Sequence, residues 1–276
     1  MEQVLKTMLE NVRAKSPLVH NITNYVTVND VANVLLAAGG SPIMSDDADD
    51  VEDITSICGG LNINIGTLNK NTIPSMFLAG KKANALGHIV LLDPVGAGAS
   101  RLRTDTANRL MQEVRFDAVR GNISEIKTLC TGSGSTKGVD ADAVDAVTEA
   151  NLDDGVQLVK AFAQKTGCII AVTGAIDLVS DGERCWCIRN GRAEMSRITG
   201  TGCQLSALMT AFLVANPDRK LDAAAAAVCM MGLAGEIGWA NMQPGDGNST
   251  YRNRIIDAIF NMTGDALEEG AKYELR

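Results

Sequence analysis

The chain has 276 residues, 46% of them hydrophobic, enough to bury a sizeable core, and its 4% aromatic content with 27 glycines makes that core small and aliphatic. Twenty-five basic against 33 acidic residues leave a formal charge of −8 at pH 7, which argues against a diffuse nucleic-acid surface. Two histidines in the whole chain nearly exclude a zinc centre built on several imidazoles.

The first seventeen residues spread charge through an amphipathic pattern and lack the apolar centre of a secretory signal. Short apolar runs bounded by Gly, Pro, Asn or Asp predict strands at 17–22, 41–44, 61–65, 88–92, 118–120 and 168–172. Helical patterns fall between them at 28–38, 48–58, 73–86, 100–114 and 151–166. This alternation predicts an α/β fold of three layers, a mostly parallel central sheet with helices on both faces. Apolar pairs at 178–179 and 184–188, with Asp181-Gly182 between them and Asn190-Gly191 after, read as an antiparallel meander at one sheet edge. Beyond Gly202 the pattern is almost wholly helical, in three segments broken at Asn216-Pro217 and across 243–247. The longest apolar run, 223–235, has thirteen residues, too few to span a bilayer, and reads as a buried core helix. No repeat or composition break divides the chain, so a single domain over 1–276 is expected.

The seven cysteines form no framework and suit free thiols in a reducing cytosol, the expected location. Cys185 and Cys187 flank Trp186 at strand spacing and should share a face; a metal pair is conceivable there, but no partner cluster lies nearby in the sequence. Asp46, Asp47, Asp49, Asp50, Glu52 and Asp53 put six acids in eight residues. A cation site is one reading; acids at a helix N-terminus, complementing its dipole, are the simpler one. The sparser acidic run over 140–154 takes the same reading.

Three segments carry chemistry, each at the carboxyl end of a predicted strand, where open parallel sheets bind ligands. In the first, Asp93 closes a buried strand and Pro94, Gly96 and Gly98 open the exit loop. A carboxylate there can hold Mg²⁺ or simply turn the chain by bonding its own backbone. In the second, Arg120 is followed by Asn122-Ile123-Ser124-Glu125. Asn at the N-cap with Glu three residues on makes a capping box; alternatively Glu125 joins a metal–water network and Arg120 faces a phosphate. The third, Thr199-Gly200-Thr201-Gly202-Cys203, precedes a long helix of small residues. Its glycine amides and the positive helix end form an anion cradle, which is neither a P-loop nor G-x-G-x-x-G. Cys203 falls in the first turn, where a lowered thiol pKa is expected, although a small buried packing residue fits equally.

Together these segments resemble the ribokinase-like small-molecule kinases, in which a G-x-G-D loop supplies the anion hole and a base, and N-x-x-E organises Mg²⁺. Cys203 stands where that pattern has aspartate. With His20-Asn21-Ile22-Thr23-Asn24-Tyr25-Val26-Thr27, Gly40-Ser41-Pro42-Ile43-Met44 and Asp93-Pro94-Val95-Gly96-Ala97, the chain is similar to the hydroxyethylthiazole kinase family over about 16–248. The resemblance implies a ribokinase-like fold and transfer of the ATP γ-phosphoryl group to 4-methyl-5-(2-hydroxyethyl)thiazole for thiamine synthesis. It implies ATP contacts at Arg120 and Thr173, thiazole contacts at Met44 and Gly200 with Asn24 nearby, and Mg²⁺ held by Asp93 and Glu125. Cys203 is then the catalytic residue, receiving the hydroxyl proton or orienting the alcohol, and is expected to be ionised or nearly so in the ternary complex. Met44 and Val26 can supply apolar walls for the thiazole. No β-hairpin lid interrupts the first third, where sugar kinases carry one, and the resemblance points to a homotrimer with active sites between subunits. Neither nucleic acid nor membrane is an expected partner. Rival readings are a kinase for hydroxymethylpyrimidine or pyridoxal, a cysteine-dependent hydrolase pairing Cys203 with His20, and a binding protein that kept the fold without catalysis.

Overall fold

Strands and helices alternate from Leu18 to Thr173 in the computed structural model, which describes residues 3–132 and 146–276. After α1 (Val4–Lys15) come β1 (Leu18–Ile22), α2 (Val28–Ala38), β2 (Ser41–Met44), α3 (Val51–Ile57), β3 (Gly60–Asn64) and α4 (Thr72–Leu86). They are followed by β4 (Ile89–Asp93), α5 (Arg101–Glu113), β5 (Ala118–Asn122), α6 (Ile123–Thr131), α7 (Leu152–Thr166) and β6 (Ile169–Thr173). The chain then turns antiparallel through β7 (Asp177–Ser180) and β8 (Cys185–Ile188). It ends in α8 (Thr201–Ala215), α9 (Lys220–Ala240), α10 (Asn248–Asn261), α11 (Gly264–Gly270) and β9 (Tyr273–Leu275).

One sheet runs β2-β1-β3-β4-β5-β6-β7-β8-β9, parallel from β2 to β6 and antiparallel beyond. Successive residues on β4 serve opposite faces: Leu91 packs with α1, α8 and α9, whereas Val90 and Leu92 pack with α4, α5 and α7. The same period places Cys185 and Cys187 together on one face and Trp186 on the other, as their spacing predicts. Among the described residues no group of three or more His, Cys, Asp or Glu is arranged to hold a metal, and both cysteines are fully buried in the core.

Helix α9 is long and apolar enough to cross a bilayer by length and composition, yet most of it is buried within the molecule. Helix α8 lies so close to the sheet that a Cβ on Gly60 would stand 2.5 Å from Val214 Cγ2, which explains the glycine at that strand start.

The acidic segment shortens α3 relative to the predicted 48–58. Asp47 accepts the Asp49 N–H through Oδ1 at 2.9 Å and the Asp50 and Val51 N–H groups through its carbonyl. That Asx turn delays the helix to Val51, leaving Glu52 and Asp53 in its first turn at the positive end of the dipole. Asp153 and Asp154 likewise open α7, whereas the earlier part of the 140–154 run, up to 145, lies outside the described residues. The last two elements escape the sequence pattern. β9 has three residues and is covered on one edge only, so its short alternation carries little signal.

Candidate active site

Register brings the chemistry to one edge of the sheet. Asn21 is level with Met44, Asn64 with Asp93, and Asn122 with Thr173, so these six residues share the carboxyl edge of the strands. The pairing Leu92↔Val119 puts Asp93 and Arg120 one step further on, on adjacent strands. α8 starts over the same edge: Gly200, at φ +85°, is its N-cap, and the first intrahelical bond runs from Gln204 N–H to Gly200 O at 2.9 Å. The amides of Thr201, Gly202 and Cys203 therefore have no partner within the helix, the condition for an anion cradle.

Asp93 is fully buried. Its Oδ2 accepts from Asn64 Nδ2 at 2.7 Å and Ser206 Oγ at 2.8 Å. Its Oδ1 lies 3.6 Å from Arg120 Nη1 and has no hydrogen-bond partner. Burial pushes the carboxyl up, against the pull of Arg120, Ser206 and Asn64. Glu125 completes the capping box predicted at Asn122: Asn122 Oδ1 takes the Glu125 N–H at 2.9 Å, and Glu125 Oε2 takes the Asn122 N–H at 2.8 Å. Its other oxygen, Oε1, accepts from Gly96 N at 2.7 Å, across to the loop after β4. Capping and site geometry are thus the same contact. Burial first, then the neighbouring Asp93 charge, raises Glu125 to about 7.

Two buried carboxyls with raised pKa, one carrying an orphaned oxygen, form a hard-oxygen donor set that a divalent cation would satisfy. Arg120 reaches across to Thr173, donating from Nη2 to Oγ1 at 2.5 Å, and its Nε is buried without a partner. A Cβ on Gly202 would meet the Arg120 guanidinium at 2.5 Å, so glycine is what admits that group beside the cradle. Arg120, Thr173 and Gly202 line a cleft of ≈ 800 Å³ that also takes in Thr201, Asp177 and Asn190.

Cys203 sits 9% exposed in a small cluster with Val19, Val31 and Ala207, against which Met44 packs. Asn24 Nδ2 donates to its sulfur at 3.2 Å and to Asn64 Oδ1 at 3.1 Å. Asn24 Oδ1 is in turn held by the N–H and hydroxyl of Thr27, each at 3.1 Å, and a Cβ on Gly200 would collide with Thr27 Cγ2. Met44, Asn24, Gly200 and Cys203 thus form one contiguous patch. The helix N-terminus does not by itself make the Cys203 thiol acidic. Burial and the Asp93 charge push the thiol up to about 11, and they outweigh Arg120 and the two asparagine amides. Nor does His20 pair with Cys203, because its ring nitrogens meet Thr55 Oγ1 and Ser45 O, both at 2.9 Å. Val26, expected as a pocket wall, is 56% exposed, and the adjacent Tyr25 is 77% exposed.

Three residues at this edge escaped the sequence reading. Asn64 and Ser206 grip Asp93, and Asp177 lines the cleft. The signal for Asn64 was its place as a polar residue closing a buried strand, Asn62-Ile63-Asn64. Ser206 and Asp177 carry none in the sequence.

The family model for the hydroxyethylthiazole kinase family matches residues 9–265. The chain belongs to the hydroxyethylthiazole kinase family. It is 58% identical over 271 residues to the hydroxyethylthiazole kinase of Clostridium acetobutylicum, covering 98% of this chain and 99% of that one. It superposes on the hydroxyethylthiazole kinase structure from Pyrococcus horikoshii with a TM-score of 0.88 at 32% identity, over the whole of both chains. A pyridoxal kinase structure from Staphylococcus aureus, at 14% identity and a TM-score of 0.62 over 94% of this chain and 97% of that one, shares the fold. The ribokinase-like α/β architecture expected from the motifs is the one observed.

Proposed function

We propose that the protein is a single-domain kinase that transfers the γ-phosphoryl group of ATP to the hydroxyl of 4-methyl-5-(2-hydroxyethyl)thiazole, serving thiamine synthesis and salvage. The observation that carries the reading is Arg120, which lines the cleft with Thr201 and Gly202 of the cradle and lies 3.6 Å from the buried Asp93, itself beside Glu125, in a chain of this family. In phosphoryl transfer most of the barrier is lowered by positioning and charge neutralisation rather than covalent chemistry.

In this reading the amides of Thr201, Gly202 and Cys203 and the guanidinium of Arg120 take the charge that develops on the equatorial oxygens. Thr173 holds Arg120 in place through the 2.5 Å hydrogen bond. Asp93 and Glu125 would hold Mg²⁺, which would supply neutralisation of phosphate charge. Met44 gives the thiazole ring an apolar wall, and the tight turn at Gly200 brings backbone against it. Cys203 is a neutral thiol at pH 7, so it orients the alcohol rather than serving as a preformed base. The Asn24 amide fixes the sulfur as an acceptor and so sets that orientation.

The exposed Tyr25–Val26 pair directly follows Asn24. A homotrimer whose neighbouring subunit covers this pair would close the thiazole side and exclude water without a lid. A cytoplasmic location accords with the free thiols. Mass spectrometry of a reaction containing MgATP and the thiazole alcohol tests the assignment. Its monophosphate ester should accumulate in step with ADP. ADP formed without that ester would refute the substrate, and an ester formed on pyridoxal in preference would reassign it.

A further inference from the structure

One wall of the cleft is unused by the phosphate-binding residues. Asp177 opens β7 after the 174–176 turn and lines the cleft together with Arg120, Asn190 and Gly191. Its Oδ1 accepts the Gly174 N–H at 2.8 Å, which fixes the carboxyl group on the turn that follows Thr173. Its Oδ2 has no hydrogen-bond partner among the described residues. The rest of the lining includes two contrasting parts. Arg120, Thr201 and Gly202 offer charge and amides, whereas Val228, Met231 and Gly232 of α9 offer an apolar face suited to a flat ring.

A carboxylate facing a cleft that receives a triphosphate is repulsive unless it meets a hydrogen-bond donor. ATP carries donors only on its nucleoside half, the ribose hydroxyls and the amino group of the base. We infer that Asp177 is a specificity-determining residue whose second carboxyl oxygen accepts a hydrogen bond from the nucleoside part of ATP. The inference rests on the kinase reading of the cleft. Burial holds the carboxyl up at about 7, so a donor arriving with the ligand would favour its ionised, accepting form.

Calorimetric titration of the full chain with Mg²⁺ present tests this, using ATP, 2′-deoxy-ATP, 3′-deoxy-ATP, ITP and inorganic tripolyphosphate. Wild-type protein should bind at least one of the three analogues about tenfold more weakly than ATP, and the analogue that suffers identifies the donor. Asp177→Asn keeps the acceptor for Gly174 but turns the second oxygen into a donor. It should weaken ATP about tenfold, abolish the discrimination, and leave tripolyphosphate within about twofold of wild type. A variant that weakens ATP and tripolyphosphate alike, or leaves the discrimination intact, overturns the inference. So does wild-type protein that binds all three analogues as tightly as ATP, and that arm decides the matter even if the variant fails to fold. Wild-type protein that binds no ATP overturns the kinase reading, and the inference with it.

Discussion

Asn64→Ala is the most informative single perturbation, because Asn64 joins the two halves of the site. The side chain is 1% exposed and makes three hydrogen bonds: to Asp93 Oδ2 at 2.7 Å, from Asn24 Nδ2 at 3.1 Å and from Gly66 N at 2.9 Å. The bond to Asp93 is charge-assisted when that carboxyl is ionised and contributes about 1.5–3 kcal/mol; each neutral one contributes about 1 kcal/mol. Asp93 keeps Ser206 and the Asn24 amide keeps Cys203, so neither group is stripped bare. The expected loss is therefore about 3–5 kcal/mol of unfolding free energy. For a chain of this size that corresponds to a melting temperature roughly 10 °C lower. Thermal unfolding followed by far-UV circular dichroism at pH 7 measures it. A shift under about 3 °C would refute the claim that this buried amide holds the two carboxyl-edge loops together.

Other perturbations follow from the same geometry. Cys203→Ala should lower kcat by about tenfold to a hundredfold while the alcohol KM changes less than about threefold, as expected of an orienting group; steady-state kinetics that show an unchanged kcat would remove Cys203 from the mechanism. Arg120→Lys loses the planar fork shared between the cradle and Thr173, and nucleotide affinity measured by calorimetry should weaken about tenfold. Gly200→Ala combines a left-handed φ of +85° with a collision at Thr27 and should cost about 2–4 kcal/mol in urea unfolding. Asp177 supplies a pH signature. Its folded pKa of about 7 lies above the ordinary 3.8, so its contribution to stability is intact below about pH 4 and is lost as pH rises through 7. Relative to wild type, Asp177→Asn should therefore gain about 1–3 kcal/mol between pH 5 and pH 8, and a constant difference across that range would contradict the assigned pKa.

Much of the fold was legible because hydrophobic period and turn chemistry agree along the first 170 residues. β2 and α2 fall on their predicted bounds, and β4 is displaced by one residue, to Ile89–Asp93. The capping box at Asn122 and Glu125 was likewise readable, since its partners are three residues apart. What sequence spacing could not deliver was anything set by tertiary burial. A helix N-terminus alone argues for an acidic Cys203; only the closed packing around it and the Asp93 charge reverse the direction. Ser206 and Asp93 are 113 positions apart, and their bond exists because α8 crosses the β4 edge. Asp177 needed the β6–β7 reversal to bring it back beside Arg120.

ADP release from MgATP by purified protein, with hydroxyethylthiazole, hydroxymethylpyrimidine or pyridoxal as acceptor and with none, tests the central claim most directly. Turnover that depends on hydroxyethylthiazole and exceeds the other acceptors by at least about tenfold is the expected result. Turnover confined to another alcohol, or none with any of the three, would contradict the proposed reaction while leaving the fold and family intact.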